Sequence, residues 1–344
     1  MIPAGRGYRR IERQDTELRV IHAEVADRTS EAAVLIAPTL IGVCRSDLRE
    51  LAKQRHLRRD FGHEIVARVV AARPHTLVPV GQRVVYDPHP TVERTCGFGE
   101  LVEMFGAAES LRAALVPVDD VVPAPAAVFA EPLACAVHCV RRLETASREL
   151  ALPVEAPTAV LGAGMAGTLI AAVLHERGVP VRLLNRSPGR IEFLRHRQFL
   201  PAASLEPAGA RRFPRVILAT AAATPQALHH AAELVEPGGL LLLFAGTDPT
   251  TALQGTPLDG VRRRERLVTL HRAGGPLHVA GTHGALTDDF HVSLALLDPT
   301  HPAGLARRLQ TLITQRLTLT EAAVVLPRHL ESGFGGKAVV QPCA

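Results

Sequence analysis

Residues 158–187, TAVLGAGMAGTLIAAVLHERGVPVRLLNRS, constrain the fold of this chain more than any other stretch. A short apolar run ends at Leu161, and the chain then turns through Gly162, Gly164 and Gly167, with Met165 and Ala166 inside the turn. A helix-compatible segment follows to about Arg177, and the apolar pattern resumes as VRLLN. Strand, glycine turn, helix and second strand form the unit in which one glycine makes the tight turn. The next lets backbone approach a pyrophosphate, and the third lets helix lie against strand. The phosphates then rest on the exposed N–H groups of the helix N-terminus.

The segments that follow keep the same alternation. GRIEFLRHRQFL reads as a helix within 188–210, RVILAT as the next strand, and TPQALHHAAELV as an amphipathic helix that Pro237, Gly238 and Gly239 stop before the strand LLLLFAG. Alternation of this kind predicts a doubly wound parallel sheet of Rossmann type covered by helices on both faces. Residues 219–221 (Ala219, Thr220, Ala221), at the end of the RVILAT strand, are then expected near the bound dinucleotide. Residues 248–276, rich in Pro, Gly and Arg, carry no legible pattern, and RRRER at 262–266 reads as surface charge.

Upstream, residues 1 to about 90 hold ELRVIHAEVA, AAVLIAPTLIGV, HEIVARVVAA and QRVVYD, each rich in Val or Ile and separated by Pro, Gly and charged residues. This is the spacing of short strands in a sheet or partly open barrel. At 344 residues the chain has room for two domains. The net charge of +5 is carried almost wholly by arginine, since Lys53 and Lys337 are the only lysines. With no tryptophan and two tyrosines, a nucleic-acid surface is not expected. No apolar run reaches the ~20 residues of a membrane span, and charge interrupts the N-terminal positions where a secretory core would lie. Five scattered cysteines make no disulfide framework, so a reducing cytoplasm is the expected compartment.

Four short motifs precede the glycine turn: G-V-C-R-S-D-L at 42–48, F-G-H-E at 61–64, V-G-Q-R-V at 80–84 and A-E-P-L-A at 130–134. In this order, ahead of the dinucleotide fingerprint, they resemble the medium-chain dehydrogenase/reductase superfamily, and within it the zinc-dependent alcohol and polyol dehydrogenases. The late strand VEPGGLLLLFAG, HVAGTHGALTDDF, LITQRLTLTEA and the closing GGKAVVQP continue the resemblance. It implies a β-rich, GroES-like catalytic domain in two parts, residues 1–133 and 284–344, around an inserted Rossmann domain at 134–283. It also implies a homodimer or homotetramer, with the strand LHVAG from Leu277 as the edge through which nucleotide domains pair.

Within that resemblance Cys44, His63 and Glu64 stand where the family places its catalytic zinc ligands, and Glu131 matches the carboxylate that polyol dehydrogenases use near the metal, directly or through water. Glu64 also reads as a group behind the ligands. Taken singly, Cys44 reads as a buried apolar residue and His63 as a satisfied polar one; it is the combination that points to a metal. Relatives with a structural zinc use four closely spaced cysteines, and here that lobe keeps Cys96 alone, so one catalytic zinc and no structural zinc are expected.

Ser46 matches the hydroxyl residue that contacts the substrate oxygen and starts the proton path. Many relatives place a histidine three residues on; here it is Arg49, which does not deprotonate at working pH. Arg45 matches an arginine that in some relatives touches the cofactor pyrophosphate, and reads equally as a solvated loop residue. Lys53, Arg55, His56, Arg58 and Arg59 read as a solvated face or as a cationic rim for an anionic substrate. For the cofactor, an NAD site usually ends its second strand in Asp or Glu, which would repel a 2′-phosphate. This chain has Asn185 and Arg186 there, with Arg190 one turn on, a pattern that resembles NADP-using glucose dehydrogenases; the alternative is NAD, with Arg186 facing water.

The expectation is therefore a zinc-dependent NAD(P)-linked enzyme interconverting a secondary alcohol of a polyol, sugar or hydroxy-amine and its ketone. A zinc-free reductase of the same superfamily, which would lack the Cys and G-H-E ligands, and a nucleotide-binding protein without catalysis are the competing readings.

Overall fold

The structure is a computed structural model that describes residues 4–14, 17–28, 31–53, 61–330, 332 and 334–343. It divides into two compact units, residues 1–131 with 290–344, and residues 132–289.

The first unit opens with an antiparallel hairpin, β1 (Gly7–Gln14) and β2 (Glu17–Glu24). β3 (Ala33–Gly42), α1 (Arg45–Leu51), β4 (Glu64–Arg73), β5 (Arg83–Tyr86), β6 (Glu93–Arg94), β7 (Val102–Phe105), α2 (Ala108–Ala113), β8 (Leu115–Pro117) and α3 (Ala124–Ala127) follow. β3 pairs with β4 along its length and with β7 at its start, so it is the central strand, and it is buried almost throughout. Ile36, Ile41, Ile65, Val84 and Phe98 lie at the heart of this core. Residues 54–60, which hold Arg55, His56, Arg58 and Arg59 of the expected cationic rim, lie outside the described residues.

α4 (Ala130–Glu149) leads into the second unit, where β9 (Thr158–Leu161), α5 (Met165–Glu176), β10 (Val181–Asn185), α6 (Pro188–His196) and β11 (Leu205–Pro207) make the first half of a sheet. β12 (Phe213–Leu218), α7 (Pro225–Glu233), β13 (Val235–Leu243), the small hairpin β14 (Ala252–Leu253) and β15 (Thr256–Pro257), α8 (Asp259–Arg263), β16 (Leu267–Arg272) and β17 (Gly275–Gly281) make the second. The strand order is β11-β10-β9-β12-β13-β17-β16, parallel except that β16 runs antiparallel to β17. The chain winds outward from β9 in one direction and from β12 in the other. Right-handed crossovers then place the two sets of helices on opposite faces, and ligands are received where the direction reverses. The four leucines of β13 are all buried, as a strand covered on both faces requires.

α9 (Thr287–Leu296) leads the chain back to the first unit, where α10 (Leu305–Gln310), β18 (Ile313–Leu317), α11 (Leu319–Val325) and β19 (Lys337–Val340) complete the fold. β19 lies antiparallel against the end of β3, bringing Val339 opposite Gly42.

Three expectations are corrected. Pro237, Gly238 and Gly239 lie within β13; α7 ends at Glu233, and the β12–β13 register shifts between Phe213 and Arg215 across this bend. The LHVAG strand is not the sheet edge, because β16, drawn from the illegible region, pairs along β17 and becomes the outermost strand. The RRRER segment is not simply surface: Arg262 donates to the Phe244 carbonyl and Glu265 is half-buried in an ion network.

Candidate functional site

In the first unit the site is assembled by Asp47. Cys44 is the residue before α1, and Asp47, at the third position of that helix, accepts from the Cys44 N–H (2.9 Å) and from the Gly62 N–H (3.0 Å). Its Oδ1 also lies 3.3 Å from His63 Nδ1. One buried carboxylate thus ties the G-V-C-R-S-D-L motif to the F-G-H-E motif and fixes the imidazole, leaving the other ring nitrogen for a metal, the arrangement by which metal-binding histidines are oriented. Burial opposes the charged form of His63, but the charge and hydrogen bond of Asp47, with Cys44 behind them, hold its pKa well above the ordinary histidine value. Burial likewise opposes ionisation of Asp47, and His63 overcomes it, so the Asp47 carboxyl titrates below its usual range.

The ligand atoms of Cys44, His63 and Glu64 lie within 4.8 Å of one another, the one such group of three or more among the described residues. Bonds of ~2.0–2.3 Å at tetrahedral angles would set donor atoms about 3.5 Å apart, within a small side-chain rotation of this arrangement. Thiolate, imidazole and carboxylate are a donor set suited to zinc. Behind the trio, Lys337 of β19, only 3% exposed, binds Glu64 through its Nζ. Gly42 is required there, since a side chain at that position would collide with the Glu64 carboxylate. Glu131, near the start of α4, is outside the trio but feels it: burial raises its carboxyl pKa, His63 pulls it back and Glu64 adds to the rise. Two carboxyl groups and a cysteine that could bind as thiolate offer anionic donors to a divalent cation beside a single lysine.

Ser46 Oγ is buried and has no hydrogen-bond partner among the described residues. An orphaned buried hydroxyl costs about 1–3 kcal/mol, so its place is one where a ligand oxygen would complete the bonding. Arg45 and Arg49 sit half-buried on α1. Cys96 is a buried thiol whose Sγ donates to the Phe61 carbonyl, and burial pushes its pKa up to about 12.

In the second unit the three glycines divide their roles by geometry. Gly162 has φ +113°, and a Cβ there would stand 2.9 Å from the backbone of Ala219. A Cβ on Gly167 would drive into the Gly162 carbonyl, so helix α5 seats on the turn only because that position is bare. Gly164, at the N-terminus of α5, has nothing within 4 Å: its bareness serves no internal contact and leaves backbone open to an approaching group. Met165 and Ala166 are the first residues of α5. Ala219 supports the turn from below, and Thr220 Oγ1 donates to the Ala222 carbonyl beside exposed Ala221. Asn185 is engaged locally, accepting from the Ala163 N–H and donating to the Ser187 carbonyl (3.0 Å each). Arg190 Nε donates to the Ala163 carbonyl (2.6 Å), and its guanidinium lies over the Phe193 ring, while Arg186 is exposed.

Asp47 and Lys337 were not among the residues singled out from sequence. Asp47 carries a local signal, an acid three residues past a helix-start cysteine; Lys337 carries none, being brought to Glu64 from 273 residues away.

Residues 30–126 match the alcohol dehydrogenase GroES-like domain family. No curated protein sequence matches the chain. Among solved structures, a protein of Sinorhizobium meliloti 1021, assigned as a zinc-binding dehydrogenase and bound to NADP, superposes with a TM-score of 0.71 at 17% identity over 98% of this chain and 100% of its own. Galactitol-1-phosphate dehydrogenase of Escherichia coli gives 0.69 at 17% identity over 97% and 100%. The 2R,3R-butanediol dehydrogenase of Bacillus subtilis gives 0.67 at 18% identity over 97% and 99%. Residues 30–126 thus match an alcohol dehydrogenase GroES-like domain, a doubly wound parallel sheet follows, and the chain as a whole has the fold of these solved dehydrogenases.

Proposed function

We propose that the protein is a zinc-dependent, NAD(P)-linked dehydrogenase that interconverts a secondary alcohol and its ketone. The observation that carries this reading is the convergence of Cys44, His63 and Glu64 on one point, with Asp47 orienting the histidine. Cys44, His63 and Glu64 or Glu131 would hold the metal, and it would supply Lewis-acid chemistry to the substrate oxygen, making the alcohol proton easier to lose. The nicotinamide exchanges hydride with the carbinol carbon.

The chain's own residues do the rest. Ser46 accepts the hydroxyl proton's hydrogen bond and passes it outward. Arg49 cannot serve as the outer base, so water completes that path. Lys337 binds the Glu64 carboxylate and holds it in place beside the trio. Gly164 receives the pyrophosphate on the N-terminus of α5. Asn185 keeps the end of β10 tied to the glycine turn, and Arg186, exposed beside it with no carboxylate at the strand end, pairs with a 2′-phosphate, which makes NADP the preferred cofactor over NAD.

The fold neighbours named for galactitol-1-phosphate and butanediol dehydrogenation make polyols and related secondary alcohols the substrate class to test. No helix among the described residues is long and apolar enough to cross a membrane, and we place the enzyme in the cytoplasm as a homo-oligomer that pairs through the exposed edge of β16. A panel of polyols, sugar alcohols, their phosphates and 3-hydroxy-amines, read at the nicotinamide absorbance with both cofactors alongside zinc analysis, tests the reading. About one zinc per chain and NADP-linked turnover support it; a metal-free chain that binds nucleotide and turns nothing over overturns it.

A further inference from the structure

The second unit contains a buried ion network that the reaction above does not use. His138, two turns into α4, is 6% exposed and stands between two carboxylates. Its Nδ1 lies 2.9 Å from Asp289 Oδ2 and its Nε2 lies 2.7 Å from Glu265 Oε1. Arg141 Nη2 also stands 3.0 Å from Nδ1, but a carboxylate within hydrogen-bond reach of each nitrogen favours a proton on each, and we take the ring as an imidazolium. Burial acts against that charge, but the hydrogen bonds and charges of Asp289 and Glu265 outweigh it and raise the His138 pKa to about 9.

Charged groups face the ring from each element around it. Glu265 comes from the turn between α8 and β16, and Asp289 from the first turn of α9. Arg141, from its own helix, shares Asp289 Oδ2 at 3.0 Å, and Arg142 donates to the Glu265 carbonyl. Arg262 lies close enough to act on neighbouring Cys139.

Both carboxylates have a second task. Glu265 Oε1 also accepts the His283 N–H at 2.7 Å, and Asp289 Oδ2 also accepts the Leu286 N–H at 2.8 Å. The imidazolium therefore pins the two ends of one loop, 282–286, which leaves the C-terminal end of β17. Glu265 reaches its position from a left-handed backbone, φ +51°, a conformation that a non-glycine residue holds only when its surroundings fix it. In a doubly wound sheet ligands bind at the C-terminal ends of the strands. The β9–β10 half takes the adenosine and pyrophosphate, so the β12–β13–β17 half takes the nicotinamide end.

We propose that His138 is a positioning residue for the dinucleotide, its imidazolium fixing the 282–286 loop in the shape that receives the nicotinamide half. The inference rests on the dinucleotide reading above. It separates the two halves of the ligand: loosening the loop weakens a whole dinucleotide and spares its adenosine fragment. It also predicts that this preference fades in alkali as the bridging proton is lost.

The test is fluorescence titration of the full chain with NADPH against 2′,5′-ADP, and with NADH against 5′-AMP, from about pH 7.5 to 10. The fragment's 5′-monophosphate has a second ionisation at about 6 that the dinucleotide's pyrophosphate lacks, so the ratio is compared from about pH 7.5 upward, where both ligands keep a constant charge. In the wild type the ratio is expected to fall about tenfold as pH rises, equivalent to about 1.4 kcal/mol. His138→Gln is expected to show the lowered ratio at every pH, with fragment affinity within about twofold of wild type. Equal weakening of dinucleotide and fragment, or a pH-independent ratio in the wild type, overturns the proposal; the second outcome is available even where the variant does not fold. A chain that binds neither dinucleotide overturns the dehydrogenase reading as well, whereas tight NADPH binding with an unchanged ratio in His138→Gln overturns this inference alone.

Discussion

The two candidate sites are built from opposite materials. The glycine turn is made of backbone and of what is missing from it: three bare positions within six residues, one for the turn, one for an approaching ligand and one for a helix to seat. The candidate metal trio is made of side chains from the start of α1 and the 61–64 motif, with Glu131 of α4 and Lys337 of β19 beside it, held by a buried acid and backed by a buried base. A backbone site is local and tolerates change around it. A side-chain site is only as good as its most distant supporter.

The sharpest break in that comparison is Cys44→Ser or His63→Ala. Either is expected to lower kcat/KM by about 10³-fold and to empty the metal by elemental analysis, while NADPH affinity measured by fluorescence stays within about twofold. Parallel loss of nucleotide binding would mean that the two sites are not separately built.

Next in size is Lys337→Met, which strands a buried carboxylate. Thermal or urea unfolding should show a loss of about 3–5 kcal/mol. The double variant with Glu64→Gln should recover most of it, whereas an additive loss would show that the pair does not act as a pair.

The glycine turn makes a finer distinction. Gly167→Ala should cost about 1–3 kcal/mol through its clash with the Gly162 carbonyl. Gly164→Ala, which meets nothing, should leave the melting temperature unchanged and still weaken NADPH about tenfold, because the new methyl stands where the pyrophosphate approaches. Equal stability effects at the two positions would erase the division of roles. Arg186→Ala should lower kcat/KM for NADP about tenfold and leave that for NAD nearly constant.

The smallest effect is the pH dependence of stability in the second unit. The folded pKa of His138 is raised to about 9, so its contribution is complete below the unfolded value of about 6.5 and is lost as pH rises through the folded one. The wild-type melting temperature should therefore decline more steeply than that of His138→Gln between pH 7 and 9.5.

What was legible in the sequence follows from the same contrast. The turn, its flanking strand and helix, and the β12, α7 and β13 segments could be read because their signals are glycine placement and local apolar periodicity. The candidate ligands Cys44, His63 and Glu64 could be named only through motif order, and Asp47 and Lys337 hold the geometry that makes them a group. β16 escaped notice because an edge strand needs only one apolar face, and Leu270 is its one fully buried residue. Glu265 was hidden inside a run of arginines, where charge density reads as solvent exposure.

The pairing of Glu64 with a lysine 273 residues downstream sets an order on the making of the molecule. At about 5–20 residues per second, Lys337 leaves the ribosome roughly 15–55 s after Glu64, and the whole second unit is synthesised in between. Until then the carboxylate has no partner and β3 lacks the strand that covers its end. The candidate metal site is therefore among the last parts of the protein to mature, and a translation product cut short before β19 would carry Cys44, His63 and Glu64 and still lack the lysine behind them.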